Sequence, residues 1–133
     1  VKLIQSVSSA ALADEIERLG SVRGVVQPVL VELNASDEAN KTGASTGEID
    51  ELIGYVKGLP HLELCGMMAV PAIGAGDSVY EGARKVFDRY RSERFKILSM
   101  GMSGDFERAI LNGSNMVRVG TSLFGQRTTV KEI

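Results

Sequence analysis

Apolar runs and amphipathic stretches alternate along the chain. Residues 3–7 read as a short buried strand. Ser8 or Ser9 then caps a helix through Leu19, with Leu12, Ile16 and Leu19 on one face and Gly20 just past its end. Residues 28–34 form a second strand, nearly continuous in valine and leucine. A polar loop over 35–45 leads to Thr46, which can cap a second helix. In that helix Ile49, Leu52, Ile53 and Val56 fall at i, i+3, i+4 and i+7, and Gly58 and Pro60 end it. Residues 62–70 are the third strand, stopped by Pro71. After Gly74 and Gly76, Asp77 or Ser78 starts a third helix with Ala83, Val86, Phe87 and Tyr90 as its inner stripe. Residues 95–99 are the fourth strand. Ser103 caps a short helix carrying Phe106 and Ile110, and Gly113 stops it. Residues 116–120 are the fifth strand, and a helical turn can begin at Ser122.

Strands separated by helices of this length cannot be hairpins. They are parallel and joined by right-handed crossovers. Their apolar character on both faces fits a sheet covered on both sides or closed into a barrel. Alternate side chains of a barrel strand point inward. Met116, Arg118 and Gly120 then share one face, as do Leu30, Glu32 and Asn34. Polar residues in the inward set suit a barrel with a functional mouth. A full (β/α)8 barrel takes eight strands and ~250 residues, so five strands in 133 residues make a part of one.

Composition narrows the picture further. Apolar residues make up 44% and charged residues 24% of the chain, as in soluble globular domains. A net charge of −2 with mixed signs gives no electrostatic case for nucleic acid or an acidic membrane. No run is long enough to span a bilayer, and the start does not resemble a signal peptide. Cys65 is the only cysteine, which suits a reducing, cytoplasmic setting, and its apolar neighbours predict a buried small residue. His61 is also alone and reads as a surface or strand-edge residue. The chain opens at Val1 inside an apolar run, without a methionine, as a piece of a longer protein would.

The chemistry concentrates in the last third. Ser99-Met100-Gly101-Met102-Ser103-Gly104-Asp105-Phe106 is followed by Met116-Val117-Arg118-Val119-Gly120-Thr121-Ser122-Leu123-Phe124-Gly125. Each segment joins an apolar strand to a turn of small and hydroxyl residues, where a backbone can approach an anion. Ser103 reads either as a helix cap or as an anion ligand. Gly120 and Thr121 read either as an ordinary strand-to-helix turn or as a phosphate contact, since barrels often bind phosphate after their last two strands. Arg118 inside an apolar strand needs a partner. That partner is either Glu32 in a salt bridge or a ligand heteroatom. Met68 and Met100 fit core gaps or a pocket wall equally well. Dinucleotide, triphosphate and metal motifs do not occur.

These residues resemble the pyridoxal phosphate homeostasis protein family. The match is strongest over Leu98 to Ser103, Asp105-Phe106, Ala109-Ile110, Gly113, Val117 to Thr121 and Phe124-Gly125. Weaker matches are Gln5-Ser6-Val7, Leu33-Asn34, Lys41-Thr42-Gly43 and Gly66-Met67-Met68. The resemblance implies a TIM-type α/β barrel of the alanine-racemase type, with strands four to eight and their helices in residues 1–133. It implies that Ser103, Gly120 and Thr121 hold the phosphate of pyridoxal 5'-phosphate and that Arg118 faces the pyridine nitrogen. Ser99 would stand beside Arg118, with Met68 and Asn34 lining the pocket.

The resemblance also implies a cytoplasmic protein, monomeric at full length, that carries the cofactor to pyridoxal-phosphate-dependent apoenzymes without turning over a substrate. The family's Schiff-base lysine lies on its first strand. None of Lys2, Lys41, Lys57, Lys85, Lys96 and Lys131 matches it, so no catalytic or covalent residue is assigned. Two other readings stand beside this one: a racemase-like enzyme using the same cofactor, and a bare half-barrel scaffold that binds nothing.

Overall fold

The computed structural model describes residues 3–38, 42–72 and 74–118. Gly120, Thr121 and the expected turn at Ser122 lie outside them. Five strands and four helices alternate in this span: β1 (Ile4–Val7), α1 (Ala10–Arg23), β2 (Gln27–Leu33), α2 (Ile49–Lys57), β3 (Leu62–Ala69), α3 (Asp77–Tyr90), β4 (Ile97–Met102), α4 (Phe106–Leu111) and β5 (Met116–Arg118).

Every neighbouring pair of strands is parallel, and the spatial order is β1-β2-β3-β4-β5. That order decides between the two parallel architectures. A doubly wound sheet reverses direction partway and places later strands beyond the first. A sheet in strict chain order is an arc of a barrel. The expected partial barrel is what forms.

One face of this arc packs under the helices. Val29, Val31, Leu33, Met67, Ala69, Leu98 and Met100 point there and join Ile49, Ile53, Val56, Ala83, Val86, Phe87 and Phe95 in one apolar cluster. A second, smaller cluster of Leu3, Leu30, Met68 and Met116 lies on the other face. The two parities are kept in step by a bulge in β3. The register with β2 jumps from Val29–Leu64 to Leu30–Gly66, so no residue of β2 stands opposite Cys65. Gly66 has φ +153, and a Cβ on it would sit 1.9 Å from the carbonyl oxygen of Ile97. Only glycine lets β3 and β4 approach there.

Several local expectations give way to packing. α1 runs past Leu19 and Gly20 to Arg23 and ends at Gly24, whose φ of +66 turns the chain out. Its buried residues are Ala13 and Gly20, not the Leu12 and Leu19 stripe, which is exposed. Ile16 of the expected stripe does pack, half-buried, against the core, and Gly20 sits so close to His61 and Val25 that a Cβ would meet both at 2.9 Å. The N-cap of α1 is Ser9, as its sequence suggests, accepting from the Leu12 amide at 3.2 Å.

Thr46 does not cap α2. Its amide and hydroxyl both donate to Asp37, and Glu48 folds back to accept from the Ser45 amide at 3.1 Å. Ser103 does not cap α4 either; the N-cap position belongs to Asp105. Ile110 of α4 is exposed, and Ala109 is its buried residue. Phe95 lies before β4, which instead extends through Met102. Cys65, expected to be buried, is only partly so because the bulge leaves it unpaired. Burial nonetheless pushes its thiol pKa up, and Glu63 adds to the effect.

Candidate functional site

Glu32, Met68, Ser99 and Met116 form one row across the sheet, because Glu32 pairs with Met68, Met68 with Ser99, and Ser99 with Met116. They stand on the face away from the helices, since Val31, Leu33, Met67, Ala69, Leu98 and Met100 take the alternate positions. Met68 there packs with Leu30 and Met116. One step further along, Arg118 pairs with Met102, placing the arginine toward the C-terminal ends of β4 and β5.

Arg118 is 6% exposed. Its Nη1 donates to Ser99 Oγ at 2.9 Å, and Ser99 Oγ donates in turn to Gln5 Oε1 at 2.8 Å. A chain of three buried side chains thus crosses from β5 through β4 to β1. No carboxylate among the described residues pairs with Arg118 within 4.0 Å. The salt bridge to Glu32 that the sequence allowed does not form. Glu32 instead accepts from Thr42 Oγ1 at 2.8 Å. Burial lowers the pKa of Arg118, and Asp105 and Glu32 oppose that shift from a distance. A guanidinium does not lose its proton in a protein. Arg118 is thus a buried cation whose hydrogen-bond partner among the described residues is the neutral hydroxyl of Ser99.

The turn after β4 comes next. The Asp105 amide donates to the Met102 carbonyl at 3.1 Å, and the Met102 amide donates to Asp105 Oδ1 at 2.7 Å. Met102 and Asp105 are therefore tied in both directions around Ser103 and Gly104. The second carboxylate oxygen of Asp105 accepts from the Tyr80 hydroxyl. Burial first, then this bond to Asp105, pushes the Tyr80 pKa up to about 12. Ser103 and Gly104 face an open cleft of 430 Å³, bounded also by Gly74, Ala75, Tyr80 and Arg108.

Asn34 lies at the end of β2, and its amide is committed locally. Its Nδ2 donates to the Glu38 carbonyl at 2.6 Å, and its Oδ1 accepts from the Glu38 amide at 3.3 Å. It shapes the loop that follows β2, and it is not among the residues that bound the cleft at Ser103. The structure thus joins Ser99 to Arg118, sets Met68 beside Ser99, and puts Ser103 one residue beyond Met102, the strand partner of Arg118. Sequence reasoning gave no site role to Gln5, Tyr80 or Asp105, although Gln5 and Asp105 lie in the segments that carry the family resemblance. Tyr80 carried a signal, because it precedes Ala83, Val86 and Phe87 at helical spacing. No group of three or more His, Cys, Asp or Glu side chains among the described residues is arranged to hold a metal.

Strands in chain order, helices on one face and a buried arginine on the other define part of a (β/α)8 barrel with its polar mouth at the strands' C-terminal ends. The chain belongs to the alanine racemase N-terminal domain family, whose profile matches residues 2–128. It is 37% identical to the pyridoxal phosphate homeostasis protein of Aquifex aeolicus, covering 96% of this chain and 59% of that protein. Among solved structures, a protein of unknown function from Bifidobacterium adolescentis superposes with a TM-score of 0.86 at 36% identity, over 93% of this chain and 53% of that one. PipY of Synechococcus elongatus, solved without pyridoxal phosphate, superposes with a TM-score of 0.79 at 26% identity, over 93% and 61%. The same protein with pyridoxal phosphate bound superposes at 0.76 and 24% identity, which speaks for the fold. The chain spans about half the length of the curated relatives it matches.

Proposed function

We propose that these residues form the C-terminal part of a single barrel domain that binds pyridoxal 5'-phosphate and serves vitamin B6 homeostasis as a carrier rather than a catalyst. The observation that carries the reading is Arg118: a buried cation, fixed by Ser99, beside the turn that presents Ser103. A phosphate and an aromatic nitrogen on one ligand would satisfy both ends. Ser103, together with Gly120 and Thr121, would hold the phosphate. Arg118 would donate to the pyridine nitrogen, Met68 would pack on the ring side, and Asn34 would hold the neighbouring loop. The name borne by the curated relatives supports this assignment.

When bound, this cofactor supplies an electron sink for carbanions. Arg118 weakens that sink, because a donor that keeps its proton leaves the facing nitrogen unprotonated. This is why binding without turnover is the favoured reading. The described lysines do not compete for a covalent role: Lys57 and Lys85 lie exposed on α2 and α3, and Lys96 is exposed ahead of β4. In keeping with a carrier, we expect a cytoplasmic monomer that passes its ligand to pyridoxal-phosphate-dependent apoenzymes. No helix among the described residues is long and apolar enough to cross a membrane.

Equilibrium dialysis of the purified full chain against pyridoxal phosphate, with an alanine racemisation assay on the same sample, tests the reading. Saturable binding with racemisation at background supports it. Absence of binding refutes it, and racemisation that disappears in Arg118→Ala favours the racemase-like alternative.

A further inference from the structure

We propose that Tyr80 is the positioning residue of the turn at Ser103, acting through the Asp105 carboxylate, and that it sets affinity for the phosphate half of the ligand. The inference rests on the functional reading above and extends it to a residue on a different helix. Tyr80 is 2% exposed, so its ring is fixed in the α3 side of the core. Its hydroxyl reaches Asp105 Oδ2, while Asp105 Oδ1 accepts from the Met102 amide. The bonds between Met102 and Asp105 set the shape of the turn. The bond to Tyr80 is different in kind, since it sets where the turn stands relative to α3.

Charge gives the tether a second consequence. A carboxylate beside an anion site repels the anion, and the more strongly the closer its oxygens come. Both Asp105 oxygens are engaged, one by an amide and one by a hydroxyl. The carboxylate makes no cap bond to α4, so Tyr80 and Met102 have its two acceptors. Arg108 lines the same cleft: its guanidinium lies 5.8 Å over the Tyr80 ring, donates to the Ala75 carbonyl at 2.8 Å, and stands 3.4 Å from Asp77. Removing the Tyr80 hydroxyl would free one carboxylate oxygen to turn toward the cleft. A ligand with a phosphate would feel that change; the same ring without a phosphate would not.

The test is equilibrium dialysis of the full chain with pyridoxal phosphate and, separately, with pyridoxal. Tyr80→Phe keeps the ring and its packing. It should weaken pyridoxal phosphate binding about tenfold, the scale of one charge-assisted hydrogen bond, and leave pyridoxal within about twofold. Tyr90→Phe is the control, because Tyr90 is on the same helix and also donates to an aspartate, Asp50, away from the turn. It should change neither ligand. Wild-type affinity for pyridoxal phosphate in Tyr80→Phe overturns the inference alone. So does an equal loss for both ligands, which would make Tyr80 a general structural residue. A wild-type chain that binds no pyridoxal phosphate overturns the functional reading and the inference with it.

Discussion

Val31, Leu33, Leu98 and Met100 are fully buried against the helices, among apolar neighbours. Glu32 and Ser99 alternate with them along the same strands, and with Gln5 and Arg118 they are nearly as buried on the opposite face. The first face gains stability from every side chain, on the order of 1.5–3 kcal/mol for a fully buried aliphatic residue. The second buries amide, carboxylate, hydroxyl and guanidinium groups, which cost stability unless each is satisfied. The difference is the one expected of a scaffold face and the proposed site face, and it predicts that substitutions on the two faces fail in different ways.

Leu98→Ala should show the largest loss of stability, ~2–5 kcal/mol in urea unfolding, because its site is close-packed and fully buried. Folded Leu98→Ala protein should still bind pyridoxal phosphate. Gly66→Ala attacks the bulge that sets which residues face which side. Contact with the Ile97 carbonyl should cost ~2 kcal/mol or more, or shift the strand register, and either outcome appears in the same unfolding curve. If Gly66→Ala is neutral, the two faces are not held in step by this bulge.

A smaller effect separates the faces by pH. Tyr80 has its pKa pushed up to about 12 in the folded chain, against about 10 for an ordinary tyrosine. Between those values the folded state holds a proton that the unfolded state has lost. Its contribution is therefore complete below pH ~10 and is lost as pH rises toward 12. Tyr80→Phe should flatten that part of the stability profile measured by chemical unfolding, and an unchanged slope would contradict the raised pKa that burial, and after it Asp105, gives Tyr80.

The strand and helix pattern was legible because parallel strands and amphipathic helices write their periods directly into the sequence. The ends of the elements were less so. Gly20 looks like a stop signal, yet close packing on His61 demands a residue without a side chain, and α1 continues through it. Ser103 looks like a cap, and Asp105 takes the position because its carboxylate closes the turn onto Met102. Arg118 stands out as a charge in an apolar strand; spacing alone left its partner open between Glu32 and a ligand, and the family resemblance is what set Ser99 beside it. Ser99 is 19 residues away and Gln5 is a further 94 from Ser99, contacts fixed by register rather than by local spacing. The Cys65 bulge was hidden for the same reason: only the pairing of β2 with β3 reveals it.

The central claim is that Arg118 is buried for a ligand and not for the fold. Arg118→Met replaces the guanidinium with an apolar side chain of similar length. Thermal unfolding and pyridoxal phosphate dialysis on this one variant read both properties together. The account predicts a melting temperature equal to or above that of the unsubstituted chain, because burial of a cation with no carboxylate partner among the described residues is relieved, with binding weakened at least about tenfold. A lower melting temperature with binding intact would show that Arg118 is a structural residue and would contradict the account.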